Sequence, residues 1–138
     1  MRYVRPLFLI ALATQVIYFS SCSQFEEISD SEVLATKKYC DDLVTPESFH
    51  YIRERSILKD NLVVYTTEYD SSDDPKRIAE HFSAFLTKNG WEYSPYSAGS
   101  TKYLVFVNGK YKIVIEYEDS EAGTSKRYGL SCSWGLPR

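Results

Sequence analysis

DPKRIAEHFSAFLTKNGW, residues 74–91, is the stretch that decides the fold. Asp74 can accept a hydrogen bond from the first free amides, and Pro75 at the first helical position loses nothing by lacking one. Ile78, Phe82, Phe85 and Leu86 follow i, i+4, i+7, i+8 spacing and share one face. Asn89-Gly90 ends the helix in a left-handed turn, which folds Trp91 back onto the apolar stripe. Three large rings and two branched aliphatics ask for a sheet to pack on. Strand patterns flank the stretch on both sides, so the helix is scaffold.

Downstream, Trp91–Tyr96 reads as a short strand and Ser97–Ser100 as a turn. Thr101–Val107 and Lys110–Asp119 read as strands joined by Asn108-Gly109, a strong hairpin signal. Glu118–Ser125 is an acidic turn, and Lys126–Trp134 closes the sheet with Tyr128, Leu130, Cys132 and Trp134 on its apolar side. Upstream, Leu62–Tyr69 is a β-branched, aromatic strand with Val63, Tyr65, Thr67 and Tyr69 on one face. Lys59-Asp60-Asn61 is turn chemistry, and the poorly alternating Ser48–Ile57 suits an edge strand. Ser29-Asp30-Ser31-Glu32 fits a capping box opening a helix that runs to about Val44 and is stopped by Thr45-Pro46. The order predicts an α+β fold: a single antiparallel sheet of about five to six strands, one main helix at about 74–89 packed on one face, and an N-terminal helix at about 30–44.

The hairpin predicts which residues share a face. A two-residue Asn108-Gly109 loop pairs Val107 with Lys110, Phe106 with Tyr111 and Val105 with Lys112. Alternation then gathers Leu104, Phe106, Tyr111, Ile113, Ile115 and Tyr117 against the main helix. The opposite face holds Tyr103, Val105, Val107 and Val114 among Lys110, Lys112 and Glu116, more apolar than a solvated face requires. Two accounts stay open: the first helix or Phe49–Ile52 covers it, or it is a partner-binding patch.

The chain opens on a basic region, Met1–Arg5, and an apolar run, Leu7–Phe19, too short for a comfortable span but suited to a secretory leader. It ends in Phe19-Ser20-Ser21-Cys22, which resembles the lipobox of bacterial lipoproteins, with Phe19 where that family prefers Leu. The resemblance implies a signal peptide at 1–21, an acylated Cys22 with a tether at 22–30, and one domain over 31–138. Each buried methylene contributes roughly 0.8 kcal/mol, so two or three chains anchor a protein where one does not. In a Gram-negative cell, Ser23 after the cysteine implies the outer membrane, with the domain in the periplasm. Residues 61–134 are also similar to small bacterial lipoproteins in which a strand, a helix ending in L-x-x-x-G-W (here Leu86, Gly90 and Trp91) and a meander follow one another. That likeness speaks to fold and carries no functional residue across.

Removing 1–21 leaves 14 basic against 19 acidic side chains, a balance of −5. Such a domain is a poor partner for nucleic acid or anionic lipid. With Cys22 lipidated, Cys40 and Cys132 remain as a pair that an oxidising compartment would join. His50 and His81 lack partners at ligand spacing, and the glycines fall singly at turns rather than in a phosphate loop. Gly129–Gly135 misses the spacing of a nucleophile elbow. Asp70, Asp73 and Asp74 lack the glycine and distal glutamate of a calcium loop. Glu116, Glu118, Asp119 and Glu121 read as a solvated hairpin end. No catalytic residue, metal or cofactor is therefore expected. The chain reads as a lipid-anchored, non-enzymatic envelope protein with a protein partner in the envelope, its oligomeric state open. The alternative is a periplasmic module for a small hydrophobic or glycan ligand held between sheet and helix.

Overall fold

The predicted helix is α2, Pro75–Lys88. Asp74 accepts from the Lys76 amide at 2.9 Å. At the other end Gly90 takes a φ of +83°. The Gly90 amide bonds Thr87 O and the Trp91 amide reaches back to Leu86 O, both at 3.1 Å. That pair of bonds is the Schellman closure, and it turns Trp91 onto the apolar stripe, where it is buried. The computed structural model describes residues 28–118 and 125–135. The leader, Cys22, most of its tether, and Asp119 and Glu121 of the acidic turn lie outside the described residues.

In chain order the other elements are α1 (Asp30–Asp41), β1 (His50–Lys59), β2 (Leu62–Ser71), β3 (Glu92–Ala98), β4 (Thr101–Asn108), β5 (Tyr111–Glu118) and β6 (Lys126–Trp134). The six strands form one open antiparallel sheet in the order β1-β2-β6-β5-β4-β3. This is the α+β architecture expected. The capping box at Ser29 is present, with the Ser29 amide donating to Glu32 Oε2 at 2.8 Å. α1 ends at Asp41, three residues short of Val44, because Leu43 leaves the helical path and buries itself in the core.

The core lies between the sheet and the two helices. Ile78, Phe82 and Leu86 of α2 meet Leu104, Phe106, Ile113, Ile115, Tyr128 and Leu130 of the sheet, and Leu43 joins them. α1 packs on this same side: Tyr39 sets its ring edge-on to Trp91 at 5.2 Å, and Cys40 lies at disulfide distance from Cys132. Phe49 is also here, against Phe82, Tyr69 and Tyr128. The expectation that α1 or Phe49–Ile52 covers the far face of the sheet is thereby corrected. Both are drawn to the core side, by aromatic packing and by the cysteine pair.

The β4–β5 register is corrected as well. Asn108 pairs with Tyr111, Phe106 with Ile113 and Val105 with Val114, so the loop is Gly109-Lys110. Either favoured turn for a loop at Asn108-Gly109 needs positive φ at Asn108, whereas here Gly109 has it, at +61°, and Asn108 does not. Each residue's partner moves by two positions, and an even shift leaves every side chain on the face assigned to it.

Candidate interaction face

Alternation along the ladders gives the far face of the sheet its composition. Ile57, Val64, Ser133, Lys112, Val107 and Glu92 line up in one row across all six strands. The next row is Arg55, Thr66, Ser131, Val114, Val105 and Ser94; the third is Arg53, Glu68, Gly129, Glu116, Tyr103 and Tyr96. Among the described residues no helix lies on this face. Tyr103, Val105, Val107 and Val114 come together on β4 and β5, each half-buried by its neighbours. Tyr96 of β3 extends the patch, its ring 5.6 Å from that of Tyr103 and 61% exposed.

Beside the apolar patch lies a polar one that the sequence did not announce. The β1–β2 pairing slips between Tyr51 and Arg53, leaving Ile52 as the extra residue of a bulge. Counted from the turn, Arg53 keeps the outer face beside Glu68, and the slip turns Tyr51 to the core face instead. Arg53 then grips Glu68 through Nε at 2.9 Å and a second guanidinium nitrogen at 3.0 Å, and Arg55 bonds the same carboxylate. The paired Arg53 holds the Glu68 carboxyl below its ordinary value. A two-residue loop at Asp60-Asn61, counted backward, pairs Arg53 with Glu68, so this cluster was within reach of the sequence.

These residues border a groove of about 670 Å³, lined among others by Arg53, Glu68, Tyr103, Glu116 and Arg127, with Gly129 in its floor. Gly129 has a reason to be there. A Cβ at that position would lie 2.9 Å from Glu116 Cγ and Oε1, so the missing side chain lets Glu116 lie across β6. Four carboxylates and three cations line the groove, which makes it polar without a dominant sign.

The remaining sequence candidates stay apart. Cys40 and Cys132 are on the core side, with Cα atoms 5.7 Å and Sγ atoms 2.26 Å apart. Ser131 faces outward and shares a hydrogen bond with Thr66 Oγ1 at 2.9 Å, while His81 is on α2, across the sheet. His81 Nε2 donates to the Val44 carbonyl at 2.6 Å, which fixes it as the protonated nitrogen. Asp74 is spent on its cap. Among the described residues no group of three His, Cys, Asp or Glu could hold a metal ion, and no helix is long and apolar enough to cross a membrane. Comparison of the chain with protein-family models, with characterised proteins and with solved structures finds no match.

Proposed function

We propose that this chain is a lipid-anchored, non-enzymatic envelope protein that holds another envelope protein on the outer face of its sheet. One observation carries the reading: Val105, Val107, Val114 and Tyr103 form a half-buried apolar patch that no described element covers. The adjoining Tyr96 adds an exposed ring of the kind that anchors interfaces. The lipobox-like ending at Cys22 supports the anchor and, with it, export and a periplasmic position. The cysteine distance supports a Cys40–Cys132 disulfide in the exported protein.

A second reading keeps the anchor and makes the ligand a glycan. Its support is the groove beside Tyr103, where an aromatic face stands next to Glu116, Glu68 and Arg53. The space between sheet and helices is a poorer place for a ligand, because Ile78, Phe82 and Leu86 fill it with 1% exposure or less.

Val105→Lys tests the first reading. Val105 is on the uncovered face, so the charge can reach water, and the variant should melt within a few degrees of wild type. Cross-linked capture of the partner from native membranes should fall sharply. Unchanged capture by a folded variant, or a collapse of the fold, would end the proposal.

A further inference from the structure

The chain enters the domain at one end of the sheet, and that end carries exposed aliphatic side chains. The Ile28 amide donates to the Asp60 carbonyl at 2.7 Å, which pins the start of the domain to the tip of the β1–β2 hairpin. The capping box at Ser29 follows at once, so α1 departs from the same place. From Cys22 to Ile28 there are six peptide units, which reach at most about 20 Å even when drawn out. The ten residues of β2 rise about 33 Å. A lipid on Cys22 therefore cannot leave the choice of near end to chance.

The hairpin end is also chemically fit to meet a bilayer. Leu58 is 64% exposed and Ile57 is 51% exposed, on opposite faces of the last turn-ward residues of β1. Leu58 borders a shallow hollow shared with Ile28, Val33 and Lys59. Lys59 can lay its methylenes beside the aliphatics and lift its ammonium to the headgroups. Asp30 and Asp60 flank the hollow, so the charges there offset one another and anionic lipid gains no special hold.

We infer that the β1–β2 hairpin tip is a membrane-contact surface, seated in the interfacial layer of the bilayer that holds the acylated Cys22, with Ile57 and Leu58 as its apolar contacts. The inference rests on the lipid anchor proposed above. It sets the sheet upright, with the Val105 face turned sideways along the membrane and the β3–β4 turn at the far end.

The test uses the acylated protein purified from membranes and reconstituted in phosphatidylethanolamine–phosphatidylglycerol vesicles whose acyl chains are brominated. Leu58→Trp places a reporter at the tip, and Val44→Trp places one away from it, in the loop beside Arg77 and His81 of α2; both positions are exposed. Trp91 and Trp134 are buried and supply a constant background. Bromine quenching should remove several-fold more of the added emission from Leu58→Trp than from Val44→Trp, and high salt should leave the difference intact. Equal quenching, or more at position 44, overturns the inference while leaving the anchor standing. A mass spectrum showing no acyl chain on Cys22 overturns the anchor and this inference together.

Discussion

Two glycines of β6 and its end look alike in sequence and differ in consequence. Gly135 has a φ of +88°, and a Cβ there would fall 2.2 Å from the Asn61 carbonyl oxygen, a backbone atom with nowhere to go. Gly135→Ala is expected to cost at least about 1–2 kcal/mol from the left-handed backbone alone, before the clash is counted. Gly129→Ala meets only the side chain of exposed Glu116, which can swing into water, so its melting temperature should stay near wild type. Comparing the two melting curves checks both. Glu68 makes a prediction about pH. Its folded value is lowered from the ordinary 4.5, chiefly by the Arg53 hydrogen bond. A lowered carboxyl contributes stability that is present above the ordinary value and is lost as pH falls through the folded one. Glu68→Gln should therefore be less stable than wild type at pH 7, and the gap should narrow on acidification below the glutamate range. A gap that widens in acid would contradict the pairing. Neither glycine's role was legible beforehand, because a tight approach across strands depends on register. The Asp74 cap and the Gly90 turn were legible, because both are local.

At the scale of elements, α2 is fixed by burial and α1 by its ends. Phe82 has no exposure and touches Phe49 as well as the sheet residues of the core. Phe82→Ala is expected to cost about 3–5 kcal/mol, the range for a buried ring lost to a cavity. Ser29→Ala should cost only about 1 kcal/mol, as a lost cap does. Chemical denaturation of both variants measures the contrast, and similar costs would mean that α1 matters more to the fold than its half-exposed surface suggests. Element type followed from period. The 3.6-residue stripe of α2 and the alternation of β4 and β5 gave both the elements and their faces. Register did not follow, since Asn108-Gly109 and Gly109-Lys110 are both two-residue loops and only the backbone angle at Asn108 separates them. β1 read poorly for a physical reason: the bulge at Ile52 reverses its alternation midway, so Phe49 and Tyr51 point inward while Arg53 and Arg55 point outward. The Arg53–Glu68–Arg55 cluster lies on the turn side of the bulge, where counting back from the loop reaches it, although the mixed alternation of β1 masked it. Tyr103, Val105, Val107 and Val114, lying on unbulged strands, were gathered from sequence alone.

Over the whole molecule, a Cys40–Cys132 bond would join the first helix to the last strand across 92 positions. In the chain-entropy picture a loop of that size is worth roughly 4–5 kcal/mol, and measured bonds commonly return about 2–4. Thiol counting on the unreduced protein under denaturing conditions should find none reactive at Cys40 and Cys132, and reduction should lower the unfolding free energy by an amount in that range; two reactive thiols would refute the bond. The strand order has a further consequence, one of timing. Of the six strands β6 comes last in sequence yet stands between β2 and β5, and among the described residues it is the strand that joins the β1–β2 hairpin to the β3–β4–β5 meander. Polypeptides emerge from a ribosome or a translocation pore N-terminus first. Until Lys126–Trp134 arrive, this chain owns two separate half-sheets, each with a naked edge and an unfilled apolar side. Val63 waits for Trp134, 71 positions away, and such distant pairing is slow to form. A newly delivered copy thus passes through an interval in which a holding chaperone, or an untimely neighbour, can claim the slot reserved for its own last strand.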